Sequence, residues 1–296
     1  MSLLADAPPG VPSRVEVMAR AGSENFPVAS RALPARSRAH LMALYGFARL
    51  VDELGDGGQD APTERLAALG WLQDELERAY AGHARHPLLV GLQPTLRACA
   101  LPREPFLRLI EANRVDQSVA RYETWEQLLG YCELSANPVG ELVLGVFGKA
   151  TPERVALSDR ICTALQLAEH WQDVAEDFAR GRIYLPREDR ARFGCEESEL
   201  AGPPQDLDGG VEASWRLCGL LAFEVARTRA LLAEGLPLIE TLRGRERLAV
   251  AAFAGGARAA LDAIERSGYD VLAGAPRASR PRRLAVTAAL LAGRRR

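Results

Sequence analysis

The chain has 296 residues, 48% of them hydrophobic and 26% charged, with a formal net charge of -2. That is ample for a sizeable core, gives no global attraction to nucleic acid, and includes no window near the roughly 18 apolar residues that span a bilayer. Five scattered cysteines, Cys99, Cys132, Cys162, Cys195 and Cys218, contain no CxxC pair; they exclude a disulfide framework and fit reduced thiols in a cytoplasmic protein.

The N-terminus lacks the basic region and apolar run of a signal peptide. Residues 1–21 are proline-rich and read as a mobile segment, and residues 22–296 as one domain. Pro34 opens a helix from Ala35 to about Leu54, with Leu41, Leu44, Tyr45, Ala48 and Val51 at helical spacing and Gly55 as its stop. Helices follow over Pro62–Tyr80, His86–Ala98 and Glu104–Val119. Thr124 caps another to Glu133, with Gln127 completing a capping box. Pro138 starts a helix to Phe147, and Pro152 starts the longest, to about Ala179, ended by Gly181. Tyr184-Leu185-Pro186 reads as a turn and 201–211 as a loop. Helices resume over Glu212–Leu232, Leu236–Ser267 and Arg282–Leu291. No alternating run reaches strand length, so the fold class is all-α. The last apolar stretch is too short to span a bilayer. With Arg294–Arg296 it suits peripheral membrane contact, although basic tails are more often simply solvated.

Two acidic clusters stand out. Glu169, Asp173 and Asp177 are spaced by four and, on an unbroken helix, form one row with roughly 5–6 Å between neighbouring Cβ atoms. Apolar Leu165, Leu167, Trp171, Val174 and Phe178 surround them, and buried like charges are costly without a cation. Asp52, Glu53 and Asp56 close the first long helix, where acidic groups oppose the macrodipole. Facing carboxylate pairs suit Mg²⁺, which takes oxygen ligands and keeps positions open for phosphate oxygens. A lone DxxxD is usually a solvated face; two pairs beside apolar faces, with Arg49 and Arg180/Arg182 adjacent, favour metal. His40, His83, His86 and His170 match no metal-ligand spacing and read as surface residues.

Several runs resemble the squalene/phytoene synthase family of head-to-head isoprenoid synthases. They are Asn25-Phe26-Pro27-Val28-Ala29-Ser30, Tyr45 through Asp56, Tyr131-Cys132 with Pro138-Val139-Gly140, and Gln166 through Asp177 with Gly181-Arg182-Ile183-Tyr184-Leu185-Pro186. The resemblance implies the isoprenoid synthase fold, a central cavity between helices, and Mg²⁺ held by Asp52, Asp56, Asp173 and Asp177. Glu53 and Glu169 join this set, Glu169 departing from the usual Asn. Arg49 matches a diphosphate contact, Tyr45 and Tyr131 line the cavity, and Gln166 lies one turn before the second cluster. Asn25, Phe26 and Arg182 belong to the substrate-binding set. A C-terminal diphosphate-holding Arg is Arg277 or Arg280.

Residues 24–30 and 134–140 resemble the hopanoid-pathway branch, hydroxysqualene synthase. That branch implies presqualene diphosphate and water as substrates, with a companion presqualene diphosphate synthase and a flavin-dependent reductase acting before and after it. No dinucleotide loop is found. The alternatives are condensation of two prenyl diphosphates and a non-catalytic scaffold of the same fold; four retained aspartates argue against the scaffold.

Overall fold

The computed structural model describes residues 7–8, 10–19, 35–56, 61–201 and 213–293. Asn25, Phe26 and the 201–211 loop lie outside them in whole or in large part. The described residues are helical, as expected. Their only extended pairing is an isolated parallel bridge between Arg121 and Ile183. They form two compact units, residues 1–118 with 138–155, and residues 119–137 with 156–296. Neither is a contiguous stretch of chain, so the units are not domains strung in series.

In the first unit, α1 (Arg14–Ala19), α3 (Pro62–Ala81), α4 (Pro87–Cys99) and α5 (Glu104–Val115) pack on α2 (Ala35–Gly55), and α7 (Asn137–Val146) follows later in the chain. Within residues 1–21, read as a mobile segment, residues 14–19 form the helix α1. Ser13 and Glu16 cap each other's backbone: Ser13 N–H donates to Glu16 Oε2 at 2.7 Å, and Glu16 N–H to Ser13 Oγ at 3.4 Å. Val17 is fully buried. Phe47 and Phe106 meet edge to face at 5.0 Å between α2 and α5. Gly55 is required where it stands, because a Cβ there would fall 1.9 Å from Asn113 Oδ1. His86 is buried rather than at the surface: its backbone N–H donates to the buried carboxylate of Glu75 at 3.0 Å.

The second unit holds α6 (Trp125–Ser135), most of α8 (Pro152–Gln172), α9 (Val174–Ala179), α10 (Arg187–Phe193), α11 (Trp215–Gly235), α12 (Pro237–Thr241), α13 (Gly244–Arg266) and α14 (Arg280–Leu291). Thr124 caps α6 as expected, accepting from Gln127 N–H, while Gln127 Oε1 accepts from Glu123 N–H. Fully buried Trp171 ties α8 to α11 by donating to Thr228 Oγ1 at 2.9 Å. Gly235 lets α11 end against α8, where a Cβ would meet Leu157 O at 2.8 Å.

Two expected helices are interrupted. Leu236–Ser267 divides into α12 and α13 at Leu242–Arg243, where Gly244 adopts φ 57°. Pro152–Ala179 breaks at Asp173, whose φ -103° and ψ 19° leave the helical basin. α10 is an addition: the buried Tyr184-Leu185-Pro186 stretch leads directly into it.

Candidate active site

The first acidic motif closes α2. Asp56 lies just past the helix, its N–H bonded to Asp52 O at 2.8 Å. Asp52 and Asp56 are exposed. Glu53 differs. Its Oε1 accepts from Arg49 Nη2 at 2.8 Å and Nε at 3.1 Å, one turn back. Arg49, expected on diphosphate, is thus held to the helix by a residue expected on metal. Tyr45, one turn before Arg49, is half-buried.

The second motif spans the α8–α9 break. The backbone still joins Asp173 N–H to Glu169 O at 3.0 Å and Asp177 N–H to Asp173 O at 2.8 Å. The four-residue register of the motif thus continues across the break, although the Asp173 backbone leaves the helical basin. Glu169 is exposed, whereas Asp173 and Asp177 are half-buried. Burial raises the Asp173 carboxyl above its ordinary range; Asp177 and Glu176 add to the rise, and Arg277 and His170 oppose it. Gln172 Nε2 donates to Pro276 O, which ties the segment before α14 to the end of α8. Of the two arginines the sequence left open, Arg277 is the one whose charge reaches Asp173.

An aromatic wall stands beside this motif. Ile183 N–H donates to Ala120 O and Arg187 N–H to Tyr122 O, both at 2.9 Å, laying residues 183–187 along residues 120–122. This places Tyr184 on His170, with ring centroids 3.6 Å apart and planes 15° from parallel. Tyr131 and Tyr122 pack at 5.7 and 5.8 Å from Tyr184. His170 is 6% exposed and not the surface residue expected. Its Nε2 lies 3.2 Å from Gln166 Nε2, and its Nδ1 lies 3.9 Å from Asp177 Oδ2. The i, i+4 spacing of Gln166 and His170 was a usable signal; the Tyr184 partner was not, because it arrives from a separate extended segment.

Among the described residues, no three His, Cys, Asp or Glu side chains converge as a ready-made metal cage. The donor set nevertheless fits Mg²⁺. It is all oxygen, and Asp173 lies among like charges that a hard cation would relieve. Mg²⁺ is typically bound through one or two carboxylates with water and phosphate oxygens completing the shell.

The family model described as squalene/phytoene synthase matches residues 19–287. A hydroxysqualene synthase of Sinorhizobium fredii is 34% identical over 226 residues, covering 74% of this chain and 72% of that protein. A phytoene synthase of Arthrospira platensis is 33% identical over 266 residues, 84% of this chain and 82% of that one. The crystal structure of the squalene synthase HpnC from Alicyclobacillus acidocaldarius superposes with a TM-score of 0.77 at 42% identity, covering 87% of this chain and 93% of its own. A family model matched over nearly the whole length, with both aspartate motifs inside the match, leaves one conclusion: the chain belongs to the squalene/phytoene synthase family.

Proposed function

We propose that this chain is a Mg²⁺-dependent hydroxysqualene synthase, converting presqualene diphosphate and water to hydroxysqualene and diphosphate. The observation that carries the reading is the 34% and 35% identity to hydroxysqualene synthases of Sinorhizobium fredii and Zymomonas mobilis, over 74% and 71% of the chain; the squalene synthase HpnC, 42% identical over 87% of the chain, supports prenyl diphosphate chemistry more broadly. The C–O bond to diphosphate breaks with both electrons on oxygen. The cyclopropylcarbinyl cation rearranges, and water adds its oxygen and loses a proton. Bound Mg²⁺ would supply charge stabilisation to the departing diphosphate, and the residues that would hold such ions are the carboxylates of each motif, Asp52 and Asp56 in the first and Asp173 and Asp177 in the second. Arg277 adds positive charge beside Asp173, which suits a leaving group rich in negative oxygen. Tyr131, Tyr184 and Tyr122, buried and packed on one another, make a dry aromatic wall beside the second motif, which suits a carbocation.

The test is product identity. Incubation with presqualene diphosphate and Mg²⁺ without NADPH should yield hydroxysqualene; squalene alone, or no turnover, overturns the reading. The second reading, head-to-head condensation of two prenyl diphosphates, draws on phytoene synthases 31–33% identical over 84–85% of the chain. Farnesyl and geranylgeranyl diphosphates given in parallel decide between the two.

Such a substrate is lipid-soluble. No helix among the described residues is long and apolar enough to cross a membrane. On α14, however, Leu284 is 71% exposed, with exposed Arg280 and Arg282 nearby. We assign peripheral contact with an anionic bilayer to this face. Leu284→Glu should lower co-sedimentation with phosphatidylglycerol vesicles; unchanged binding would remove the assignment.

A further inference from the structure

His170 has no part in the roles assigned so far, yet it is built into the second motif with care. Its ring is clamped against Tyr184, and both nitrogens face polar groups. An amide N–H₂ only donates, so the Gln166 Nε2 beside His170 Nε2 makes that ring nitrogen an acceptor. The imidazole proton then resides on Nδ1, the nitrogen facing Asp177. The 3.9 Å from Nδ1 to Asp177 Oδ2 is too long for a direct hydrogen bond. A polar contact of that length is a natural place for an intervening water. A small cavity of about 10 Å³ lies there, lined by His170, Val174, Asp177, Arg182, Tyr184 and Leu200. Its size is close to that of one water, and four of its lining side chains, His170, Asp177, Arg182 and Tyr184, carry hydrogen-bonding groups.

We propose that this cavity binds one water molecule, which accepts from His170 Nδ1–H and donates to Asp177 Oδ2, and that His170 through this water positions Asp177 for metal. The inference rests on the Mg²⁺ reading above. With bonds of about 2.8 Å to each partner, a 3.9 Å separation requires an angle near 90° at the water, which is attainable. Gln166 sets the tautomer, Tyr184 fixes the ring plane, and the water passes that orientation to one carboxylate oxygen. The other oxygen is left to face a cation. His170 acts through Asp177 and is a positioning residue.

The experiment uses the full chain without substrate, with Mn²⁺ as the probe. Nitrogen-15 spectra of labelled histidine in the wild-type protein should show His170 protonated on Nδ1; a proton on Nε2 alone overturns the proposal. Mn²⁺ titration then compares three variants. His170→Phe keeps a flat ring on Tyr184 and removes the nitrogen. His170→Asn restores an N–H near the Nδ1 position. Asp177→Asn removes the carboxylate charge. His170→Phe should weaken Mn²⁺ binding about tenfold, and His170→Asn should stay within about threefold of wild type. Equal loss in the two His170 variants would mean packing alone, and no loss in His170→Phe would mean no positioning; either overturns the proposal. If Asp177→Asn binds Mn²⁺ like wild type, the metal reading itself fails, a result distinguishable from the other two.

Discussion

Asp173→Ala is expected to lower turnover of presqualene diphosphate by about a hundredfold to a thousandfold while leaving the helical spectrum and melting temperature no worse than wild type. The two halves of that expectation come from the same environment. Burial, Asp177 and Glu176 all disfavour a charge on Asp173 in the folded chain. Its carboxylate is therefore a cost to folding that rises as pH increases past the ordinary aspartate range. Removing it relieves repulsion in the free protein and forfeits a ligand in the working one. A residue kept for structure would show the reverse, with stability lost first and activity following. Full activity in the variant would displace Asp173 from the site. A large drop in melting temperature with proportionate loss of activity would make it a folding residue instead.

Much of this was legible in local sequence, and the exceptions share a cause. Helix starts were readable wherever the chain carries its own signal, as at Pro62, Pro152 and Thr124. The α1 capping box at Ser13 and Glu16 is equally local, but the prolines before it masked it. The break at Asp173 is of another kind. Neither Pro nor Gly marks it, and the residues that surround it arrive from far along the chain: Pro276, which accepts from Gln172, and Tyr184, which covers His170. The acidic motifs were visible as spacing. What spacing could not convey is that Glu169 stays exposed, Glu53 is occupied by Arg49, and His170 is buried beside Asp177. Each depends on which way a side chain turns once its neighbours are in place.

At pH 8, Arg227→Leu should cost about 3–5 kcal/mol of stability, because there it strips the counter-charge from two buried carboxyls at once. Glu224 is fully buried and receives Arg227 Nε at 2.7 Å and Nη2 at 2.7 Å; Asp189, 5% exposed, receives the same Nη2 at 2.5 Å. The guanidinium also lies 3.5 Å over the Trp125 ring, which ties α6 to α11. Burial pushes the Glu224 carboxyl up to about 8, with Asp189 adding to the rise and Arg227 pulling against it. The sign of the pH dependence follows. A carboxyl raised above its ordinary 4.5 contributes stability that is fully present below about pH 4.5 and lost as pH climbs towards 8. Without Arg227 the protonated form is favoured still more, so the penalty of the variant should be small near pH 5 and grow towards pH 8. The lost contact with Trp125 is independent of pH and sets a floor under it. Urea unfolding of wild type and Arg227→Leu at the two pH values measures the difference directly. Adding Glu224→Gln to the variant should recover part of the loss at pH 8 and little at pH 5. An equal cost at both pH values would mean that Glu224 carries none of the effect, leaving it to the aromatic stack and the Asp189 pair.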